Sequence, residues 1–217
     1  MHWLLDPASY QGVAMQRDWY IFIGAGAFVG LYVYGCIAWC LIAYRARPKR
    51  QPARFENNPP LELTYAAIPV VIVIGLFLLT YFVEMPIDRV AGGAVDPVHV
   101  VAFRWSWRFE YEGTPIAMQG TPLQPPTLYL PVNRITRIDL NTADVNHSFW
   151  VPAFLFKRDA IPGMTNVFDV TPNRLGTFPA RCANFCGLEH ALMSFKVKVV
   201  PDAAYDRFIA TNGAQLP

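Results

Sequence analysis

Two stretches of the chain carry no charge, and the rest alternates. From Trp19 to Tyr44, and again from Leu63 to Val83, every residue is apolar or uncharged. At about 1.5 Å per residue, each run reaches the roughly 30 Å of a bilayer's hydrocarbon core. The pattern predicts two membrane-spanning helices, over about 19–44 and 62–84. The first run is longer than the apolar part of a secretory signal, and no basic segment precedes it. Gly24, Gly26 and Gly30 suit the close helix packing found in lipid. From Val95 the texture changes to short runs rich in β-branched and aromatic residues, bounded by Pro, Gly and Asn. They fall at 98–111, 127–130, 134–142, 148–151, 166–171, 176–181 and 194–200, the spacing expected of a β-sandwich or barrel. Gly92-Gly93 reads as a linker, and the tail after Pro201 as a short amphipathic helix. The expected organisation is a membrane-anchored all-β protein: residues 1–91 hold a two-helix transmembrane hairpin, and 92–217 an exported β-domain.

Composition agrees with a membrane anchor, since 53% of the residues are hydrophobic, which is high for a purely soluble protein. Charge sets the expected orientation. Between the two runs Arg45, Arg47, Lys49, Arg50 and Arg54 outweigh Glu56 and Glu62, which marks that loop as cytoplasmic. The N-terminus and everything after Val83 then face the outside of the cell membrane, on the periplasmic side of an inner membrane. From Glu84 onward acids and bases balance at twelve each, so net charge alone predicts no acidic field on the exported part; nucleic acid is not an expected partner.

The candidate chemistry lies in Arg181-Cys-Ala-Asn-Phe-Cys-Gly-Leu-Glu-His-Ala-Leu-Met193. Cys182, Cys186, His190 and Met193 follow a Cys-x3-Cys-x3-His-x2-Met spacing, a soft donor set that suits copper better than magnesium or calcium. His147 in Asp144-Val-Asn-His-Ser-Phe149 offers a second imidazole, just after the apolar alternation of Ile135, Ile138 and Leu140. Two other readings stand beside copper: a short Cys182–Cys186 disulfide, and a structural zinc site. The first leaves His147, His190 and Met193 without a task, and zinc has little use for a thioether. Cys36 and Cys40 share a face of the first helix but have no histidine or carboxylate nearby, so packing is their simplest use.

The loop closely resembles the copper-binding loop of the cytochrome c oxidase subunit II family. The resemblance extends to Asp144-Val-Asn-His-Ser-Phe-Trp-Val-Pro152, Lys157-Arg-Asp-Ala-Ile-Pro-Gly163, Arg104-Trp-Ser-Trp-Arg-Phe-Glu-Tyr111 and Glu62-Leu-Thr-Tyr-Ala-Ala-Ile-Pro69. It implies a cupredoxin-like β-sandwich holding a dinuclear copper centre, CuA. In that centre Cys182 and Cys186 bridge two copper ions, and His147, His190, Met193 and the backbone carbonyl of Asn184 complete the set. It further implies that Trp105 receives electrons from cytochrome c or a c-type cytochrome domain, that Asp144 helps dock this donor, and that Glu62 stands at the mouth of a proton-uptake path. The implied partners are oxidase subunit I and subunit III, together with membrane lipid. The implied role is to pass electrons to the haem and copper sites of subunit I for oxygen reduction coupled to proton pumping. Most of the family has glutamate where this chain has Asn184. The amide keeps an oxygen but loses the charge, which weakens the contact to a magnesium ion at the border with subunit I.

Plainer readings accompany several of these residues. Glu62 can be an acid favoured by a helix N-terminus, Trp105 and Trp107 can fill strand faces, and Asp144 can cap a turn. Oxygen chemistry is not expected on this chain, because the four histidines leave only His2 and His99 beyond the loop set. Rival functions are a copper-free quinol oxidase subunit, which all the copper side chains speak against, a CuA subunit serving a nitric oxide reductase, and a membrane-tethered copper carrier. A carrier would need only one spanning helix.

Overall fold

In the computed structural model, residues 6–45, 57–92 and 96–216 are described. Most of the basic loop expected to be cytoplasmic, and Gly93 of the expected linker, lie outside them. The described residues form two compact units: one runs up to Gln16 and from Met85 onward, the other is Arg17–Glu84.

The second unit consists of the apolar parts of two helices, α1 (Tyr10–Ala43) and α2 (Pro59–Asp88). Both are long and apolar enough to cross a membrane, with mean hydropathies of 1.9 and 2.6, and their side chains largely face outward. Asp18 is the buried exception; one carboxylate oxygen accepts a 3.5 Å bond from the Thr80 hydroxyl. Both helices are longer than their hydropathy predicts, because caps and not apolarity set their starts. Ser9 caps α1: its hydroxyl accepts from the Gly12 N–H at 3.0 Å, and its carbonyl takes the first helical bond, from Val13 N–H at 3.1 Å. The helix therefore begins at Tyr10, well before Trp19. Asn58 caps α2, accepting from Leu61 N–H at 3.3 Å, with Pro59 and Pro60 in the first turn where no N–H is needed.

The first unit is a β-sandwich of two five-stranded sheets. Its strands are β1 (Asp96–Phe103), β2 (Ser106–Tyr111), β3 (Ala117–Gln119), β4 (Thr127–Pro131), β5 (Thr136–Thr142), β6 (His147–Val151), β7 (Phe156–Ala160), β8 (Asn166–Val170), β9 (Gly176–Cys182) and β10 (Ser194–Val200). One sheet has the order β3-β2-β1-β5-β8, the other β4-β10-β9-β6-β7. All named pairs are antiparallel except β1 with β5 and β4 with β10. Period-two alternation explains the layers. In β1, Val98, Val100 and Ala102 are fully buried; in β10, Phe195, Val197 and Val199 are buried while Lys196 and Lys198 point away. Aromatic rings join the sheets: Trp107 of β2 lies 5.0 Å from Phe195 of β10 and 6.0 Å from Phe149 of β6, and Phe149 lies 4.9 Å from Phe195. A last helix, α3 (Asp202–Ala210), buries Tyr205 and Phe208 against Tyr111.

The N-terminal lead-in packs on this sandwich. Ala8 N–H donates to the Ala153 carbonyl at 2.6 Å, and the Gln11 amide pairs with the backbone of Asp169 and Thr171. Gly12 lies in the tightest part, where an added Cβ would sit 2.6 Å from the Phe154 carbonyl and 2.8 Å from Pro7. Gly12→Ala should therefore lower stability by about 1–3 kcal/mol, read as a fall in melting temperature of the full chain in detergent. An unchanged melt would show that this contact does not bear on folding.

Candidate metal centre

Three strands and one loop build the site. His147 opens β6, Cys182 closes β9, and Met193 leads directly into β10. The sheet ladder pins the loop between the last two: Cys182 N–H donates to the Met193 carbonyl at 2.9 Å, and Arg181 faces Ser194 across β9 and β10. Ala183 N–H donates to the Ser148 carbonyl at 3.1 Å, tying the loop to β6. Inside the loop, a 3-10 turn over His190–Leu192 is closed by Leu192 N–H donating to Glu189 O at 2.9 Å. These backbone bonds hold the two ends of the loop that carries the candidate donors.

The six ligand positions expected from sequence converge. Cys182 Sγ lies 3.9 Å from Cys186 Sγ, 3.8 Å from His147 Nδ1 and 3.1 Å from the Asn184 carbonyl oxygen, to which the thiol donates. Cys186 Sγ lies 3.5 Å from His190 Nδ1 and 3.6 Å from Met193 Sδ. His147, Cys182, Cys186 and Met193 are buried, and His190 and Asn184 are half-buried. Both cysteines are free thiols, and their separation is about twice a disulfide bond. Two thiols, two imidazole nitrogens, a thioether and a carbonyl facing one another fit a copper centre; this is a donor-set argument, and it also accommodates the thioether that zinc leaves unused.

Asp144 stands behind His147. Its carboxylate accepts from His147 Nε2 at 2.9 Å, which leaves Nδ1 facing the thiols. The same carboxylate accepts from the Arg104 N–H at 2.8 Å, the Arg104 guanidinium at 3.2 Å and the Val145 N–H at 2.7 Å. Burial alone would push the Asp144 carboxyl up, but the bonds from His147, Arg104 and Val145 outweigh it and hold the group down at about 2. Burial likewise pushes the His147 imidazolium down, and its bonds to Cys182 and Asp144 reverse the shift. The two thiols diverge. Burial raises both, but the hydrogen bond with His147 brings Cys182 below its ordinary value, while charge on Cys182 drives Cys186 further up, to about 12.

Trp105 joins the loop from the turn between β1 and β2. Its indole N–H donates to the Cys186 carbonyl at 3.1 Å. Gly187 suits this approach, because its φ of +116° is one that other residues rarely adopt and an added Cβ would sit tightly, 3.3 Å from the indole nitrogen. Neither the close approach at Gly187 nor the bond from His147 to Asp144 follows from the loop's donor spacing. The signals were present in a glycine directly after a ligand cysteine and an acid three residues before a ligand histidine. Glu62 belongs to the helical unit; it is exposed and accepts a 3.1 Å bond from the Asn58 N–H at the start of α2.

Comparison with known proteins adds an independent line. The family described as "Cytochrome C oxidase subunit II, periplasmic domain" matches residues 124–200. The chain is 35% identical to a probable cytochrome c oxidase subunit 2 of Streptomyces avermitilis, over 94% of this chain and 76% of that protein. It is 34% identical to the corresponding protein of Streptomyces coelicolor, with the same coverages. In three dimensions it is similar to the periplasmic domain of subunit II of cytochrome oxidase from Bradyrhizobium japonicum. That match has a TM-score of 0.51 and 26% identity, and covers 57% of this chain and 96% of that one.

Proposed function

The chain belongs to the cytochrome c oxidase subunit II family, and from that premise we propose that it is the electron-accepting subunit of a haem-copper oxidase. In this reading it takes electrons from a c-type cytochrome and hands them to subunit I for oxygen reduction and proton pumping. The observation that carries the proposal is the convergence of five donors between Cys182 and Met193 with His147 as the sixth. A dinuclear copper centre, held there by His147, Cys182, Cys186, His190, Met193 and the Asn184 carbonyl, would supply a one-electron carrier.

The chain's own residues do the rest. The ladder between β9 and β10 ties the two ends of the donor loop together, which would limit ligand movement when the centre gains or loses an electron. The aromatic wall of Trp107, Phe149 and Phe195 keeps water from the inner side. Trp105, hydrogen-bonded to the loop and half-exposed, is the surface aromatic at which donor electrons arrive. Asn184 offers its carbonyl to the copper set; its side-chain amide, neutral where the family has a carboxylate, would hold magnesium at the subunit I border more weakly. Glu62, at the start of α2, is proposed as the mouth of the proton path on the cytoplasmic side. The two apolar helices anchor the subunit in the membrane, with the sandwich on the outer, periplasmic face.

Copper content and electron spin resonance on the full chain in detergent test the reading. Two coppers per chain, with hyperfine structure from one electron shared over both nuclei, is the expected result. One copper with a single-nucleus pattern, or zinc, would reduce the protein to a cupredoxin-like binding module. A second measurement concerns Asp144. Asp144→Asn should weaken copper binding by about 10–100-fold, because an amide can no longer hold the His147 Nε2–H in the same way. Unchanged affinity in a competition titration would mean that His147 is oriented by packing alone.

A further inference from the structure

One short segment of the sandwich, Asp169 to Thr171 at the end of β8, holds the chain both where α1 begins and just after α2 ends. The lead-in up to Gln16 and the chain from Met85 onward belong to the same compact unit as the strands. On the α1 side, the Gln11 amide nitrogen donates to the Asp169 carbonyl at 3.2 Å and its oxygen accepts from Thr171 N–H at 3.1 Å. Tyr10 N–H donates to the Thr171 carbonyl at 3.0 Å. On the α2 side, both backbone groups of Ala91 are taken: its N–H donates to Asp169 Oδ2 at 2.6 Å, and its carbonyl accepts from Arg137 Nη2 at 2.5 Å. The same two side chains face each other, with Arg137 Nε donating to Asp169 Oδ1 at 3.0 Å.

Asp169 is 6% exposed. A nearly buried ion pair adds little to folding on balance, because the loss of water offsets the attraction, so net stability is a poor account of this one. Its geometry is specific instead: a guanidinium fork and a carboxylate close on one residue and take its donor and its acceptor together. The last residue of α2 is tied as well, with the Asp88 carboxylate accepting from Arg158 Nη2 at 2.5 Å. Arg158 lies in β7, opposite Phe149 of β6, the strand that His147 opens. The grip lies ahead of Gly92-Gly93, so the freedom that a glycine pair gives a linker is confined between Ala91 and β1.

Resting on the electron-accepting reading, we infer that Arg137 and Asp169 are positioning residues for electron transfer. By gripping Ala91, with Gln11 held on the same segment, they keep the copper loop at a set distance from its acceptor while one electron leaves the reduced copper centre and enters the metal sites of subunit I. Transfer between metal centres falls steeply with distance, so play at this joint slows that step without touching a copper ligand. The affinity for the electron donor does not depend on the grip.

The first test uses the copper-free full chain in detergent. The Ala91 N–H should exchange slowly with deuterium in the parent and about tenfold or more faster in Asp169→Asn, which keeps the shape and removes the charge. The second uses the assembled, copper-loaded oxidase reduced by a purified c-type cytochrome. Asp169→Asn should slow reoxidation of the copper centre in a single turnover by about tenfold, within the roughly hundredfold that a misplacement of about 1 Å can cost. Copper content, the spin-resonance spectrum and KM for the cytochrome stay as in the parent. Inserting Gly-Ser after Gly92 should leave all of these unchanged, because the added slack falls past the grip. Arg137→Lys keeps the charge but loses the fork; it should slow the same step by a smaller factor at full copper content, and it decides the matter if Asp169→Asn does not fold. Parent-like reoxidation in variants that keep their copper, whatever the exchange at Ala91, would overturn the inference and leave the electron-accepting role intact. If the copper-loaded parent takes no electron from the cytochrome, the electron-accepting role itself falls, and the inference with it.

Discussion

Cys186→Ser should abolish the dinuclear centre and lower copper affinity by more than about a hundredfold, since losing even an outer partner of a ligand costs about 10–100-fold. Cys186 is the hub of the donor set. Its sulfur is within 4 Å of Cys182, His190 and Met193, whereas a serine oxygen is harder, less polarisable and far less willing to lose its proton. The cysteine already resists: burial, and then the charge on Cys182, lift its thiol to about 12. Copper must displace that proton, so uptake releases acid and weakens as pH falls. The fold should survive, because the Cys186 carbonyl still accepts from Trp105. The contrast is visible in stability. Copper at about 100 times its Kd adds ~2.7 kcal/mol to the parent, and the same concentration adds only ~0.4 kcal/mol to a variant bound a hundredfold more weakly. A variant that keeps two coppers and the shared-electron spectrum would remove Cys186 from the centre.

The candidate site was legible in sequence because most of its donor side chains are local. Cys182, Asn184, Cys186, His190 and Met193 lie within one loop, and soft side chains at such spacing have few other uses outside a metal site. His147 was legible because apolar alternation placed it at a strand end. Asp144 was not, since an acid in a turn can cap, pair with a neighbour or face solvent, and only the distances to His147 and Arg104 decide among these.

The fold was legible where periodicity is strong. The run expected over 98–111 is two strands, β1 and β2, because the chain reverses at Arg104-Trp105 without the Gly, Pro or Asn that usually marks a turn. β3 is three residues long, and β7 reads Phe-Lys-Arg-Asp-Ala, too charged to look like a strand; both lie at sheet edges, where exposure permits such sequences. The parallel pairing of β1 with β5, and of β4 with β10, joins strands distant in sequence and leaves no local trace. Hydropathy found the apolar spans of α1 and α2 but missed their capped ends, where Ser9 and Asn58 act through single hydrogen bonds.

The largest stability loss should come from Trp107→Ala, at about 3–5 kcal/mol. Trp107 is fully buried and touches both sheets, with its ring 5.0 Å from Phe195, 6.0 Å from Phe149 and 6.4 Å from His147. Surrounding rings on rigid strands cannot collapse into the space, so the cavity persists. The melting temperature of the full chain in detergent, followed by near-ultraviolet circular dichroism, should fall by about 10–20 °C. Trp107→Phe should cost less, about 1–2 kcal/mol, for a reason beyond volume: the buried indole N–H has no hydrogen-bond partner among the described residues, and phenylalanine removes that unsatisfied donor. The two variants separate packing from metal chemistry. Because His147 loses a wall but keeps its bond to Asp144, Trp107→Ala should weaken copper far less than Cys186→Ser does. A melt within about 2 °C of the parent, well inside the loss expected for a buried tryptophan, would mean the inter-sheet aromatic cluster does not hold the sandwich together. If copper binding collapsed while stability stood, Trp107 would belong to the metal centre instead of the core.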